Sequence, residues 1–198
     1  MKFGVIAGTA VVMTPGASAI LVANGSFEDV NIGNNTYLNV INGNGSVTGW
    51  TVGGVSVDMV SGPSRWVAAD GNQAIDLAGT PGPGSVSQML ATTNGTAYRV
   101  RFALSRNDEG GSVADKDVDF SFGSYTENLL GAVQNSWTYY ERIIVADSSS
   151  TEIKFASDSS GNFGGLVDDV SVTVVPEPAS MAALAIGGLG ILARRRRK

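Results

Sequence analysis

The sequence predicts an all-β domain built as a two-sheet sandwich. Of the 198 residues, 26 are glycine and only 16% are charged, and Asn, Ser and Thr are frequent between the apolar stretches. Turn-forming residues of this kind favour short strands over long helices. Between residues 20 and 174, apolar and polar residues alternate and show no helical period of useful length. The length suits one well-buried domain and is too short for two.

Residues 1–19 have the three parts of a signal peptide. A basic residue near the start precedes an apolar run from Val5 to Met13, which a proline and a glycine then interrupt. Ala17 and Ala19 give the small-x-small pattern that signal peptidase reads, so we predict cleavage after Ala19 and a mature chain that begins at Ile20. The alternative is a short buried helix of the mature domain.

Six segments between the two ends are predicted as strands. The clearest is 97–104, where apolar side chains share one face while Arg99 and Arg101 share the other, as in a half-buried strand. Val55, Val57 and Met59 show the same alternation more weakly. The remaining predicted strands are 117–122, 137–145, 151–156 and 166–174.

The last 24 residues combine a proline motif, an apolar run and a basic cluster. Residues 179–193 contain no charge, and as a helix they span roughly 22 Å, short of the ~30 Å hydrocarbon core of a bilayer. The segment therefore crosses a membrane only with local thinning or snorkelling of its basic end. The positive-inside rule places that end in the cytoplasm and the domain outside. The motif is Val175, Pro176, Glu177 and Pro178, and the cluster is Arg194, Arg195, Arg196, Arg197 and Lys198.

This order of features resembles the PEP-CTERM sorting signal of Gram-negative bacteria that make exopolysaccharide. The resemblance implies that an exosortase, a membrane protease, recognises the tail and cuts near the motif. The tail is then a transient inner-membrane anchor, and the domain is delivered to the cell surface or extracellular matrix. The alternative is a permanent single-span anchor.

The charge of the domain and the absence of histidine and cysteine exclude several classes of function. Residues 20–174 hold 7 basic and 17 acidic side chains, and this net charge of −10 repels nucleic acid and anionic membrane. The chain has no histidine, which removes Ser-His-Asp and Cys-His catalysis and the usual zinc sites and so argues against an enzyme. It also has no cysteine, so a core or a metal must stabilise the exported domain.

A series of short motifs resembles the choice-of-anchor C family of bacterial surface proteins. The motifs are 24–29 (NGSFED), 49–52 (GWTV), 66–71 (WVAADG), 74–77 (AIDL), 86–88 (VSQ), 95–98 (GTAY) and 165–172 (GLVDDVSV). That family is in turn similar to galactose-binding-like jelly rolls, which include carbohydrate-binding modules. The resemblance therefore implies a single jelly-roll β-sandwich over residues 20–174.

The resemblance also implies a structural calcium where the first and last strands meet. Carried over to this chain, the candidate ligands are Ser26, Glu28, Asp70, Asn72 and Asp168. The sequence adds its own support, because Asp168 shares a phase with Leu166, Val170 and Val172, so its carboxylate points toward the apolar side and needs a partner. Calcium suits carboxylate and carbonyl oxygens. The alternative is a carboxylate satisfied by backbone N–H groups or by an arginine.

Three functions stay open. The first is a non-catalytic module that binds exopolysaccharide or cell-wall glycan, the second a structural matrix protein without a small ligand, and the third a glycoside hydrolase, for which the sequence singles out no carboxylate pair. Of the three tryptophans, Trp50 and Trp137 lie in strand-like apolar contexts and are predicted as core. Trp66 lies between Arg65 and a turn, and is the candidate for stacking on sugar at the surface.

Overall fold

A computed structural model describes residues 20–176, apart from positions 44, 46 and 158. The predicted signal peptide, residues 1–19, and the predicted apolar helix, residues 179–193, lie outside the described residues. So does the sorting motif beyond Pro176. Within the described part, no helix is long and apolar enough to cross a membrane.

The described chain forms twelve β-strands and one 3₁₀ turn, the latter at Val113–Asp115. The strands are β1 Thr36–Ile41, β2 Thr51–Gly54, β3 Ser56–Ser61, β4 Gln73–Asp76, β5 Ala78–Gly79, β6 Gly82–Ala91, β7 Ala97–Arg106, β8 Asp117–Phe122, β9 Tyr125–Leu130, β10 Thr138–Val145, β11 Ser150–Ala156 and β12 Gly165–Val174.

The strands pair into two antiparallel sheets. Sheet A has the order β1-β3-β4-β12-β7-β10, and sheet B has the order β2-β6-β11-β8-β9, with the short β5 paired to β6. Consecutive strands such as β2 and β3, β6 and β7, or β11 and β12 lie in different sheets, so the chain crosses repeatedly from one sheet to the other. The prediction of an all-β sandwich is confirmed.

The main core lies between the sheets and is filled by alternate residues of each strand. In β7, Tyr98, Val100, Phe102 and Leu104 are buried while the intervening arginines are exposed, as the sequence predicts. Phe102 packs at the centre of the core, with ring centroids 4.6 Å from Phe120 and 5.0 Å from Phe155. This packing accounts for the stability of a sandwich that has no disulfide.

Two predicted details need correction. Val55 precedes β3 and is 48% exposed, so it does not share the buried face of Val57 and Met59. Along β12, a β-bulge between Asp168 and Ser171 changes the phase of the strand. Val167, Val170 and Val172 therefore enter the main core, whereas Leu166 and Asp168 point to the opposite face of sheet A.

The first described residues run beside the end of β12. Ile20 forms an antiparallel bridge with Thr173, and the Leu21 N–H donates to the Val172 carbonyl at 2.9 Å. The two ends of the domain therefore lie side by side.

The outer face of sheet A carries a second apolar layer beneath the β3–β4 loop, residues 62–72. Trp66 in this loop packs with Val60, Ala74 and Leu166, and Trp137 packs against the same group. Because loops cover this face, polar residues of β3 and β4 that point away from the main core are also buried. These residues form the site described next.

Candidate functional site

Glu28 and Asp168, two of the predicted calcium ligands, hold the end of the β3–β4 loop from opposite sides. Asp168 Oδ2 accepts hydrogen bonds from the backbone N–H groups of Ala69 (2.7 Å) and Asp70 (3.0 Å). Glu28 Oε1 accepts from the N–H groups of Asn72 and Gln73, both at 2.7 Å. The two carboxylates therefore fix consecutive peptide units of one turn.

Gly71 sits at the middle of this turn because nothing larger fits. Its φ of +69° is in the left-handed region, and a Cβ there would lie 2.5 Å from Glu28 Oε1. The WVAADG motif thus has a local structural reason: its glycine lets the turn approach the carboxylate closely.

Two of the predicted calcium ligands present donors rather than acceptors at this turn. Asp70 and Asn72 direct their backbone N–H groups to the carboxylates of Asp168 and Glu28, and an N–H group repels a cation. The remaining predicted ligand is the backbone carbonyl of Ser26. Within the described residues, no group of three or more acidic side chains is placed to hold a metal ion. The geometry fits the alternative of carboxylates satisfied by N–H groups, and calcium stays a prediction.

Asp168 is fully buried, and the main consequence of that burial is electrostatic. Loss of solvation raises the pKa of its carboxyl to about 8, although three backbone N–H groups, those of Ala69, Asp70 and Asp169, partly oppose the shift. Asp168 Oδ1 accepts the last of these bonds at 2.7 Å. The side chain therefore needs a partner, as predicted, and the turn supplies it.

This turn ends the β3–β4 loop that carries Trp66. This residue is only 4% exposed, so the expectation of a surface platform is wrong in that respect. The guanidinium of Arg65 lies 4.0 Å above the indole ring and covers one of its faces. The indole Nε1 is buried and has no hydrogen-bond partner within the described residues. Such an orphan donor costs free energy unless something outside the fold accepts from it.

Trp66 borders a cavity of about 230 Å³ on the outer face of sheet A, which we call the Trp66 cavity. Its floor is formed by buried residues of β3, β4 and the segment after β7. Its rim is formed by exposed or half-buried residues of four loops and of β1. The lining residues are Tyr37, Asp58, Val60, Arg65, Trp66, Asp76, Thr80, Asn107, Glu109, Asn162 and Phe163.

Two carboxylates lie next to each other in the floor. Asp58 of β3 and Asp76 of β4 are direct cross-strand partners, and both face away from the main core. Burial raises the pKa of Asp58, and it raises that of Asp76 to about 7, with a further contribution from the charge of Asp58. Asp76 therefore titrates near neutral pH, and Asp58 titrates above its ordinary range.

The two carboxylates differ in how many of their oxygens accept a hydrogen bond from the protein. Asp76 accepts from the N–H groups of Ala78 (2.9 Å) and Gly164 (3.1 Å) and from Asn107 Nδ2 (2.8 Å), so both of its oxygens are engaged. Asp58 Oδ1 accepts from Asn39 Nδ2 at 2.7 Å and from the Thr80 N–H at 3.4 Å. No donor reaches Asp58 Oδ2 within the described residues, which leaves this oxygen as an acceptor for a ligand.

The rim is held by a charged pair. Arg65 Nε and Nη2 donate to the two carboxylate oxygens of Glu109 at 2.6 and 2.7 Å, a bidentate arrangement. This pair lowers the pKa of Glu109 and keeps the guanidinium above Trp66. Tyr37 on the opposite side is 52% exposed and meets Trp66 edge to face at 6.4 Å.

Comparison with known proteins identifies the family to which the chain belongs. The model of the family described as "Protein of unknown function (DUF642)" matches residues 20–173, nearly the whole described domain. This chain belongs to the DUF642 family. The PEP-CTERM protein-sorting motif matches residues 174–198, which confirms the resemblance of the tail to this sorting signal and indicates an exported protein sorted to the cell surface. The name choice-of-anchor C stays a resemblance.

Solved structures show the same sandwich at low identity. The DUF642 domain superposes on an arabinose-bound GH51 α-L-arabinofuranosidase with a TM-score of 0.51 and 13% identity, covering 80% of this chain and 27% of that chain. It superposes on the CBM22-1–CBM22-2 tandem domain of Paenibacillus barcinonensis Xyn10C with a TM-score of 0.50 and 14% identity, covering 81% of this chain and 47% of that chain. These likenesses show the fold.

A much longer protein also matches the chain in sequence. Halomucin of Haloquadratum walsbyi is 29% identical over 169 residues, which is 82% of this chain and 2% of halomucin. The DUF642 chain thus corresponds to a very small part of that protein.

Sequence reasoning missed the carboxylate pair of the DUF642 domain. The signal was present, because the strands SVDMVS and QAID each place one aspartate among apolar residues. What the sequence did not reveal was that β3 and β4 are neighbours and that loops bury their outer face. Of the predicted site residues, Trp66 belongs to the cavity, whereas Glu28 and Asp168 act on the loop that carries it.

Proposed function

We propose that this protein is an exported, non-catalytic glycan-binding module and that the Trp66 cavity holds a sugar residue. The observation that carries the proposal is the Trp66 cavity itself, which has the half-exposed ring of Tyr37 at its rim and Asp58 in its floor. Asp58 Oδ2 accepts from no donor of the described residues. A sugar residue has hydroxyl groups that can donate to this oxygen, and an apolar C–H face that can pack on the tyrosine ring.

The shape and lining of the cavity support a sugar over a larger ligand. At about 230 Å³ it lies below the range of about 300–1,000 Å³ usual for drug-sized ligands, so one sugar residue fits better than a long segment. The exposed ring of Tyr37 at the rim offers a flat apolar surface to the C–H face of that residue.

The same geometry favours binding over hydrolysis. A glycosidase needs one carboxyl group to protonate the leaving oxygen and a second one free to attack or to activate water. Both oxygens of Asp76 are engaged by protein donors, which leaves Asp58 Oδ2 as the free oxygen of the pair. The cavity is therefore equipped to hold a sugar and lacks the second reacting group.

Export completes the proposed function. The predicted signal peptide directs the chain out of the cytoplasm, and the sorting motif at residues 174–198 is then the substrate of an exosortase in the membrane. Until that cut, the apolar run and the basic end hold the chain in the inner membrane. The cut delivers the glycan-binding domain to the cell surface or matrix.

The proposal is tested on the mature exported protein with a glycan array, followed by calorimetric titration of the strongest ligand. Trp66→Ala is a poor probe, because removal of a buried tryptophan costs about 3–5 kcal/mol of stability. Tyr37→Ala removes the half-exposed ring at the rim and keeps the buried Trp66, so we expect affinity to fall about 2- to 10-fold, the value of an aromatic contact of about 0.5–1.5 kcal/mol.

The matched control is Asp119→Asn on sheet B, whose exposed carboxylate lies on the other side of the sandwich. It should bind like the wild type. If the folded protein binds no glycan, or if Tyr37→Ala binds as tightly as the wild type, the proposed site is wrong. The structural matrix protein then becomes the leading alternative.

A further inference from the structure

The two ends of the domain leave the sandwich at the same place. Ile20 is bridged to Thr173 near the end of β12, and the Val175 N–H donates to the Ala97 carbonyl at the start of β7 at 2.9 Å. The predicted signal peptide ends directly before Ile20, and the predicted apolar run begins at residue 179. Both predicted membrane segments therefore join the domain at this end.

This end carries an apolar patch on the outer face of sheet A. A row of directly paired residues crosses the sheet here, and its members in order are Ile20, Thr173, Arg99 and Ile143. Val145 lies on the same face of β10, two positions beyond Ile143. The side chains of Ile20, Ile143 and Val145 are each more than half exposed. We call these three residues, together with Arg99, the tail-side patch.

The surroundings of the tail-side patch are far less acidic than the domain as a whole, whose net charge is −10. The loops that close this end of the sandwich, 92–96 and 146–149, contain a single charged residue, Asp147. The charges on the adjoining outer face are balanced, and they belong to Arg99, Arg101, Glu141 and Asp169. Repulsion by anionic lipid headgroups is therefore weak at this end.

The connection between the domain and the apolar run is short. Because the Val175 N–H is bonded to β7, only residues 176–178 separate the sheet from the run, and this length of chain spans at most about 14 Å. The headgroup region of one leaflet takes up roughly 5–7 Å of that distance. A domain of this size has a radius of gyration of about 15 Å. The connection is therefore too short to hold the domain clear of the bilayer.

We propose that the tail-side patch rests on the surface of the inner membrane while the tail is anchored. This inference rests on the membrane stage of the proposed function, and the partner is a lipid surface. Ile20, Ile143 and Val145 enter the boundary between the headgroups and the acyl chains. The aliphatic stem of Arg99 lies beside them and its guanidinium reaches the lipid phosphates.

Contact at this end leaves the Trp66 cavity open to solvent. Asp76 in the floor of the cavity pairs with Leu166 near the start of β12, whereas the row of the patch meets this strand at Thr173. The two points on β12 lie seven positions apart, which is roughly 20 Å of extended strand. An anchored domain can therefore bind a glycan before the sorting cut.

The test uses the full chain, with its tail uncut, in vesicles of phosphatidylethanolamine and phosphatidylglycerol. Because the chain has no cysteine, one introduced cysteine carries a fluorescent label at a known position. Ile143→Cys and Val145→Cys report on the patch. Val113→Cys is the matched control, because Val113 is 47% exposed and lies beyond the far end of β7. We expect lipids with a nitroxide at the headgroup to quench the label at both patch positions and to leave it unquenched at Val113.

A second substitution locates the contact. In the Val145→Cys chain, Ile143→Asp replaces an exposed apolar side chain by a charged one, and such a surface change should preserve the fold. The ratio of docked to undocked chains, taken from the quenched fraction, should fall at least about 10-fold, the effect of burying one isoleucine side chain. Val113→Asp in the same chain adds an equal charge and should leave the quenched fraction unchanged.

Flotation of the vesicles on a density gradient separates this inference from the proposed function. If the chain does not float with the vesicles, the tail is not anchored, and the membrane stage falls together with the inference. If the chain floats but the patch labels are unquenched, or the label at Val113 is quenched equally, anchoring stands and the patch is not the contact. Patch labels that are shielded from aqueous iodide but not quenched by lipid, and more so at higher protein density, show a second copy on the patch and also overturn the inference.

Discussion

Removal of the Asp168 carboxylate should be one of the most damaging single changes in the domain. The side chain is fully buried and accepts three backbone hydrogen bonds, from Ala69 at 2.7 Å, Asp70 at 3.0 Å and Asp169 at 2.7 Å. Asp168→Ala leaves three partly buried N–H groups without an acceptor. At about 1–3 kcal/mol for each unsatisfied donor, and with some rescue by water, we expect a loss of about 3–5 kcal/mol.

Thermal unfolding followed by circular dichroism measures this loss. In a domain of this size 1 kcal/mol shifts Tm by roughly 2–4 °C, so Asp168→Ala should melt about 6–20 °C below the wild type. Asp119→Ala is the matched control, because Asp119 is exposed on sheet B, and it should change stability by no more than about 0.5 kcal/mol. If the two variants melt at the same temperature, Asp168 does not hold the β3–β4 loop as described.

Three further predictions follow from the same residues and from the ends of the chain. Because burial raises the pKa values of Asp76 to about 7 and Asp168 to about 8, the folded state retains protons that the unfolded state loses near pH 4. Stability is therefore full below pH 4 with respect to these groups and falls as pH rises to 8, and Asp76→Asn should flatten that decline in Tm. Calcium at Glu28 and Asp168 is tested by chelation: a site at 100 times its Kd adds about 2.7 kcal/mol, so chelator should lower Tm, whereas an unchanged Tm would mean that backbone N–H groups alone satisfy the two carboxylates. Mass spectrometry of the exported protein should find Ile20 at its start, and replacement of residues 194–198 by serine should block correct processing, whereas an intact Met1 or unchanged processing would contradict the sorting scheme.

The fold was predictable because it depends on the alternation of apolar and polar residues within individual strands. In β7 and β8, polar residues separate buried ones at every second position, and the structure places these strands as the pattern indicates. Strands such as β4 and β6 gave no comparable signal. All four residues of β4 are buried, and the first half of β6 is rich in glycine and serine, so neither shows a clean alternation.

The candidate site was predictable only in part, because it depends on contacts between distant residues. The sequence showed that Asp168 must be buried, but a bulge with Asp169 at a φ of +49° turned it to the face opposite the one predicted. The cavity itself needs β3, β4 and the segment after β7 to meet, since Asp58, Asp76 and Asn107 lie up to 49 positions apart. The periodicity of a single segment cannot predict a contact between segments that are distant in sequence.

The position of β12 also matters for how the domain bears mechanical load. The tail continues from the end of β12, and this strand lies inside sheet A, between β4 and β7, rather than at an edge. A pull on the tail therefore acts along a strand that is paired with β7 over most of its length and with β4 at its start, and the hydrogen bonds of an antiparallel pair are perpendicular to that direction. These bonds are loaded in shear, and many must break together. A glycan held at β3 and β4 would transmit drag to β12 through two residue pairs, Asp76 with Leu166 and Ile75 with Val167, so this short junction bears the load between the glycan and the tail.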